Sequence, residues 1–144
     1  MIFGIGVDVL SAERMHDSYA RFGERLVNRL LLPQELAQLA RTARPERFLA
    51  TRFAAKEAIV KAMGTGFAHG IWIRDVGIVQ NDWGRPDVVF SARGERVRRK
   101  LGIGAAYVTL TDEAGLIVAV AVLEKARRRK APPARRRAAA SRRR

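Results

Sequence analysis

The sequence contains no cysteine and only two histidines, His16 and His69. The absence of cysteine excludes a disulfide framework, a thiolate zinc site and a cysteine nucleophile, and two histidines argue against a multi-histidine metal site. No apolar stretch is long enough to span a bilayer. The first residues are apolar but lack a basic leader, and Asp8 interrupts them earlier than a signal peptide would allow. We therefore expect a cytoplasmic protein.

Acidic residues are also scarce, since 14 Asp and Glu stand against 28 Lys and Arg, a net charge of +14. Residues 125–144 hold eleven of the basic residues and none of the acidic ones, which leaves 1–124 with a net charge of +3. The segment 125–144 is an Ala, Arg and Pro run that cannot bury enough apolar surface to fold. We therefore predict one domain over 1–124 and a disordered tail. Such a tail is either a solvated appendage or a contact for nucleic acid, an anionic membrane or an acidic protein.

The most informative stretch is a predicted long helix over residues 45–64. Its Ala, Lys, Glu and Met residues favour a helix, and Gly64 supplies the stop. Glu57 and Lys61 are four residues apart and share one face, and the Gly64-Thr65-Gly66 bend follows one turn later. This arrangement suits a metal-bound phosphate. A Glu and a Lys at this spacing are also typical of an ordinary solvated surface pair.

Residues 2–9 alternate between bulky and small side chains, which predicts a strand with one bulky face and one nearly bare face. The bare face carries Gly4 and Gly6, which leave room for another segment to approach closely, and Asp8 near the end of the strand. A carboxylate at the end of a buried strand is costly unless it is paired or bound to a metal. Asp8 is therefore either a metal ligand or the partner of a neighbouring backbone group or arginine.

Periodicity and turn residues predict the remaining elements. They are a helix over 12–30 with a candidate break near Gly23, a short helix from Pro33 to about residue 43, an extended segment over 71–80, a strand over 87–90 that completes a hairpin, a basic helix over 92–102, a strand over 105–111 and a fully apolar, central strand over 116–123. The first helix carries a basic stripe of Arg14, Arg21, Arg25 and Arg29. The stripe suits an acidic partner or is simply a solvated face.

Three separated segments together resemble one family. They are Gly4-Ile5-Gly6-Val7-Asp8-Val9 with Glu13-Arg14, Arg52-Phe53-Ala54-Ala55-Lys56-Glu57-Ala58 with Lys61-Ala62-Met63-Gly64-Thr65-Gly66, and Thr109-Leu110-Thr111-Asp112. Their order and spacing resemble the holo-[acyl-carrier-protein] synthases, the small bacterial 4′-phosphopantetheinyl transferases, and the turn with Asn81, Gly84 and Pro86 matches as well. The resemblance covers about residues 1–124. It implies an α+β fold, with a small antiparallel sheet packed against a long helix, in a homotrimer with sites between subunits.

The resemblance also implies a reaction, the transfer of 4′-phosphopantetheine from coenzyme A to a serine of apo acyl carrier protein with release of adenosine 3′,5′-bisphosphate. Such transfers rely on positioning and charge neutralisation. Asp8 and Glu57 match the family's Mg²⁺ ligands, and Mg²⁺ accepts one or two carboxylates together with phosphate oxygens. Lys61 is implied to neutralise the pyrophosphate. Glu57 itself and a metal-held water both remain as the general base.

The same resemblance implies the binding residues. Those assigned to coenzyme A are Arg52, Lys61, Gly64, Thr65, Gly66, Pro86 and Thr109. Acyl carrier proteins are acidic, so the basic stripe gains a partner, and Arg14, Arg21 and Arg25 are its docking candidates.

Two positions depart from the family pattern. The family often has His where this chain has Tyr107, which removes any imidazole contribution there, and it varies between His and Asp at Asp112. Two alternatives therefore stay open. One is a nucleic-acid-binding module that acts through the basic tail and whose affinity falls steeply with salt. The other is a catalytically weak carrier-protein binder whose site Tyr107 has compromised.

Overall fold

The computed structural model describes residues 1–127. In chain order its elements are β1 (Ile2–Ser11), α1 (Ala12–Phe22), α2 (Glu24–Leu30), α3 (Pro33–Leu39), α4 (Pro45–Met63), β2 (Val76–Gln80), β3 (Pro86–Phe90), α5 (Ala92–Lys100), β4 (Ile103–Glu113) and β5 (Leu116–Lys125). The predicted tail falls almost entirely on residues 128–144, which lie outside the described residues. Between 1 and 127, no helix combines the length and the apolar content needed to cross a membrane.

The five strands form one antiparallel sheet in the order β1-β5-β4-β3-β2. The strand predicted over 116–123 is β5, which lies between β1 and β4. It was predicted to be central, and it is an internal strand of the sheet, although the middle strand of the five is β4. A single register pair, Asp87 with Tyr107, joins β3 to β4 in the described chain. The sheet therefore splays apart at this point, between the β2–β3 hairpin and the long β4–β5 hairpin.

Helix α4 crosses one face of the sheet, and the glycines of β1 set its distance. A Cβ on Gly4 would lie 2.0 Å from the carbonyl oxygen of Ala62, and a Cβ on Gly6 would lie 2.0 Å from that of Ala58. Only hydrogen fits between these backbones. The bare face of β1 is thus the face that packs against the helix, and the predicted close approach of another segment is confirmed.

The opposite face of β1 carries bulky apolar side chains that no other part of residues 1–127 covers. Ile5, Val7 and Val9 are 63%, 53% and 58% exposed. They continue into the half-buried Val118, Val120 and Val122 on the paired strand β5. Contiguous exposed apolar surface of this kind marks an interaction site.

Side chains rather than a further strand satisfy the outer edge of β2. Glu35 Oε1 accepts from Ile78 N at 2.9 Å, and Arg52 Nε donates to Ile78 O at 3.1 Å. Two residues along, Gln38 bonds both backbone groups of Gln80. An open strand edge invites pairing with other chains, so α3 and α4 protect this one.

Several predicted boundaries were wrong. Helix α3 ends at Leu39 instead of residue 43, because tight turns follow it. The first half of 71–80 is not extended, since the Asp75 carboxylate accepts from Trp72 N at 2.8 Å and closes a 3-10 turn. Helix α5 ends at Lys100 rather than 102, and β4 begins at Ile103 because that residue pairs with Lys125. The predicted break at Gly23 and the long helix are confirmed.

Candidate active site

Three ionisable side chains meet where the end of β1 approaches the second half of α4. Lys61 Nζ lies 2.8 Å from Asp8 Oδ1 and 3.1 Å from Val7 O. Lys61 thus pairs across to the strand rather than along its own helix to Glu57. From Ala54 to Met63 every residue of α4 is buried except Glu57 and Lys61. The helix therefore presents these two side chains alone, and an ordinary surface pair would lie on a broad exposed face instead.

The electrostatics of this cluster follow from two carboxylates near one ammonium group. Burial raises the pKa of Glu57, and the nearby Asp8 carboxylate raises it further, while Lys61 acts in the opposite direction. The hydrogen bond to Asp8 raises the pKa of Lys61, so this side chain is held in its charged form. The ammonium group of Lys61 therefore interacts with two carboxylates, those of Asp8 and Glu57, and a further cation would be favourable at this site.

The bend after α4 completes this end of the site. Gly64 adopts the left-handed conformation with φ of 76°, which a glycine accepts without strain. Thr65 N and Gly66 N both donate to Val60 O at 3.2 Å. The Thr65 hydroxyl is buried and has no hydrogen-bond partner among residues 1–127. An orphaned buried hydroxyl of this kind is costly, which indicates a partner group that residues 1–127 do not supply.

A cleft of about 430 Å³ opens where the sheet splays. Three residues predicted to bind the cofactor line it together, namely Arg52 from α4, Pro86 from β3 and Thr109 from β4. Asp8, Glu57, Lys61 and the 64–66 bend do not line this cleft. The structure therefore divides the predicted residues into two groups. Arg52, Pro86 and Thr109 lie at the cleft, and the others lie near the C-terminal end of α4.

The guanidinium of Arg52 makes several contacts within the fold, which the sequence did not predict. Only 4% of the residue is exposed. Its Nε donates to Ile78 O, its Nη2 donates to Gln38 Oε1 at 3.0 Å, and the guanidinium lies 3.9 Å above the Phe48 ring. Burial lowers the pKa of Arg52 to about 10. Arg52 borders the cleft, and its contact with a phosphate stays a prediction.

Comparison with known proteins identifies the family. A family model described as the 4′-phosphopantetheinyl transferase superfamily matches residues 4–121. The chain belongs to this superfamily. The holo-[acyl-carrier-protein] synthase of Acidithiobacillus ferrooxidans is 43% identical over 127 residues, which are 87% of this chain and 98% of that protein. The chain is thus a phosphopantetheinyl transferase of the holo-[acyl-carrier-protein] synthase family, as the sequence predicted.

Solved structures of this family agree with the fold. The crystal structure of the holo-[acyl-carrier-protein] synthase from Neisseria meningitidis gives a TM-score of 0.82 at 34% identity, covering 87% of this chain and 100% of that one. The Helicobacter pylori enzyme in complex with coenzyme A gives 0.73 at 25% identity, covering 83% and 99%. The predicted α+β architecture is therefore confirmed.

The predicted basic stripe of this transferase spans two short helices. Arg14 and Arg21 are exposed on α1, and Arg25 is exposed on α2 beyond the break at Gly23. The guanidinium of Arg21 lies 5.1 Å from the ring of Phe22, which is itself 46% exposed. The surface thus combines positive charge with an accessible aromatic ring.

Sequence reasoning missed two arginines of the cleft. Arg44 and Arg47 line its wall, and Arg47 Nε lies 2.5 Å from Asp112 Oδ2. Residues 44, 47, 48, 51 and 52 follow one another at helical spacing, and this spacing in the sequence could have predicted the cleft wall. It places Arg44, Arg47, Phe48, Thr51 and Arg52 on one side of the first turns of α4. Tyr107 is 55% exposed on β4.

Proposed function

We propose that this enzyme transfers 4′-phosphopantetheine from coenzyme A to a serine of apo acyl carrier protein in an Mg²⁺-dependent reaction that releases adenosine 3′,5′-bisphosphate. The observation that carries the proposal is the convergence of Asp8, Glu57 and Lys61 on the sole exposed strip of the second half of α4. Phosphoryl transfer needs carboxylates for a metal and an ammonium group for the phosphates, and these three side chains supply both.

The donor set fits magnesium. Asp8 and Glu57 offer carboxylate oxygens, which Mg²⁺ prefers. Burial raises the pKa of Glu57, and the nearby Asp8 carboxylate raises it further. No third acid or histidine joins them into a larger cluster in the described part of the chain. A magnesium ion held by one or two carboxylates takes its other ligands from water and phosphate oxygens. When bound, the ion would neutralise charge on the transferring phosphate.

The chain's own residues would then do the following. Lys61 is half exposed and carries its charge on a flexible stem, so its ammonium reaches a pyrophosphate beside Asp8. Glu57 accepts the proton of the attacking serine, either directly or through a water. The buried hydroxyl of Thr65 and the backbone of Gly64 and Gly66 border the cofactor, which would give the orphaned hydroxyl its partner.

We place the nucleotide end of coenzyme A in the cleft between β4 and the β2–β3 hairpin. The 3′-phosphate is anionic, and the cleft is lined by Arg44, Arg47 and Arg52. Pro86 and Thr109 supply the remaining contacts proposed from the sequence. A complex of the Helicobacter pylori relative contains coenzyme A, which supports a cofactor site within this fold.

Two assemblies complete the proposal. The acidic carrier protein docks on Arg14, Arg21 and Arg25, where charge complementarity raises the encounter rate. Three copies of the chain associate through the exposed apolar face of β1 and β5, which would bury Ile5, Val7 and Val9. The alternative of a nucleic-acid-binding module depends on the basic tail over 125–144, of which 128–144 lie outside the described residues, and none of the comparisons supports it.

The test is mass spectrometry of apo acyl carrier protein after incubation with coenzyme A, Mg²⁺ and the enzyme. We expect the carrier protein to gain the mass of one phosphopantetheine group, and we expect Glu57→Gln and EDTA each to abolish the gain. Glu46→Gln is the matched control, because it makes the same substitution in the first turn of α4, away from Asp8 and Lys61. Normal transfer by folded Glu57→Gln, or no transfer by wild-type protein that binds the carrier, would reject the proposal.

A further inference from the structure

A fully buried ion pair lies behind the active-site helix, on the side away from Asp8. Lys56 and Glu35 both have 0% of their side chains exposed, and Lys56 Nζ lies 2.7 Å from Glu35 Oε2. The ammonium also donates to Leu30 O at 2.5 Å. Neither charge reaches the cleft or the Asp8 cluster, so neither takes part in the chemistry described above.

The pair joins four elements at one point. Glu35 Oε2 accepts from Leu32 N at 2.8 Å, and Glu35 Oε1 accepts from Ile78 N at 2.9 Å. Lys56 projects from α4, Glu35 from α3 and Ile78 from β2, while Leu30 is the last residue of α2. Two of these hydrogen bonds tie the pair to the backbone of neighbouring elements, at Leu30 O and Ile78 N, and a third ties Glu35 to Leu32 N at the start of its own helix. The pair therefore has a defined orientation relative to these elements.

Stability alone is a weak reason for such a pair. Removing two charges from water costs several kcal/mol per ion, and well-packed apolar residues of similar volume are often as stabilising. Burial lowers the pKa of Lys56, which is the expected sign of that cost. Directional hydrogen bonds do provide something that apolar packing does not, namely a single allowed orientation of the helix that carries them.

The neighbouring residues show what that orientation controls. Glu57 follows Lys56 directly, and Lys61 lies on the same strip one turn further. On the β1 side, α4 touches the strand through glycine and alanine backbones, at Gly4 and Gly6. At these two glycines no side chain of the strand interlocks with the helix, so the backbone contact there fixes the distance of the helix more than its rotation.

We propose that the Glu35–Lys56 pair is a positioning pair that fixes the rotation of α4 about its own axis and so directs Glu57 and Lys61 at Asp8. The inference rests on the function proposed above. A carboxylate about 5–6 Å from the helix axis moves by about 1 Å when the helix rotates by about 10°. A misplacement of about 1 Å at a reacting group costs up to about 100-fold in rate.

The test replaces both charges with neutral groups of similar size, in Glu35→Gln combined with Lys56→Met. Mn²⁺ binding is followed by electron paramagnetic resonance in the presence of coenzyme A, together with kcat for transfer and the unfolding midpoint in urea. We expect about tenfold weaker Mn²⁺ binding and a tenfold or greater loss of kcat, while binding of coenzyme A without metal changes less than about threefold.

Asp75→Asn is the matched control. Asp75 is also a buried carboxylate, and it accepts from Trp72 N, Ser91 Oγ and Arg93 Nε, but it lies in the turn before β2 and not against α4. We expect Asp75→Asn to lower stability with unchanged Mn²⁺ affinity and kcat. Glu35→Gln alone serves as a second test in case the double variant fails to fold, with the same changes expected in smaller measure.

Wild-type Mn²⁺ affinity in a folded Glu35→Gln/Lys56→Met protein would overturn the inference. So would equal losses of Mn²⁺ affinity in the double variant and in Asp75→Asn at equal loss of stability, because both would then reflect general destabilisation. Failure of the wild-type enzyme itself to bind Mn²⁺ with coenzyme A, or to transfer, would instead reject the proposed function. The two failures are therefore distinguishable.

Discussion

The contact between β1 and α4 makes a demanding prediction for Gly6→Ala. The new Cβ would lie 2.0 Å from Ala58 O and 2.6 Å from Ala62 N, both of them backbone atoms that no side-chain rotation can move. Ordinary contact begins at 3.4 Å. The helix must therefore retreat by about 1.4 Å at this point, which separates Asp8 from the helix that carries Glu57 and Lys61.

The expected size of the effect follows from that displacement. Overpacking in a core typically costs about 1–3 kcal/mol, and a clash against fixed backbone belongs at the upper end. A shift of about 1 Å between reacting groups costs up to about 100-fold in rate. We therefore expect Gly6→Ala to lower the free energy of unfolding by about 3 kcal/mol and to reduce transfer at least tenfold.

The assay compares urea unfolding, followed by circular dichroism, with the initial rate of carrier-protein modification at a temperature where the variant is folded. Gly104→Ala is the matched control, because the nearest atoms to its Cβ are Ala126 Cα and Lys125 O, both at 3.1 Å, at the end of β5, where a small shift is easy. We expect the control to change stability by less than about 1 kcal/mol and to leave transfer intact. A Gly6→Ala protein with wild-type stability and rate would refute the packing argument.

Three further predictions concern titration, docking and assembly. Burial and Asp8 raise the pKa of Glu57, so the transfer rate should begin to fall, as the pH is lowered, at a higher pH than an ordinary glutamate would give. Raising the Mg²⁺ concentration should move this fall to lower pH, because the metal competes with the proton for Glu57. A pH profile that does not change with Mg²⁺ concentration would contradict this. Arg21→Glu should raise KM for the carrier protein at least tenfold at low salt and less at high salt, with Arg96→Glu on α5 as control; an unchanged KM would remove Arg21 from the docking surface. Val7→Lys should convert a trimer into monomers in analytical ultracentrifugation, since it puts a charge on the exposed face of β1; a trimeric variant, or a monomeric wild-type protein, would exclude this interface.

Local signals in the sequence predicted most of the fold. The glycine at 64, the break at Gly23 and the alternation of β1 each reflect backbone geometry or side-chain period, which neighbouring residues determine. The same signals failed where distant partners decide. Asp75 closes a turn in an apparently extended segment because Ser91, just before α5, and Arg93, within α5, donate hydrogen bonds to its carboxylate.

The candidate site was predictable in chemistry but only partly in geometry. Asp8, Glu57 and Lys61 are chemically conspicuous, and the structure brings them together. The cleft lined by Arg44 and Arg47 was not foreseen, because it exists only where β3 and β4 splay apart. A splay of this kind depends on strand register across the sheet, which no short pattern encodes.

A Glu and a Lys four residues apart, such as Glu57 and Lys61, can be either a surface ion pair or part of a functional site, and the burial of the residues around them distinguishes the two. On a solvated helix, a Glu and a Lys four residues apart pair with each other and contribute about 0.3–0.5 kcal/mol. In α4 all the other residues from Ala54 to Met63 are buried, so Glu57 and Lys61 are the two side chains of this part of the helix that reach the surface, beside β1. Lys61 therefore finds Asp8 and Val7 O within reach. Glu57 is left with a raised pKa and no ion-pair partner in the described chain. A carboxylate in that position favours a cation, and this requirement, more than the residue types alone, is what supports the catalytic role that we propose for the pattern.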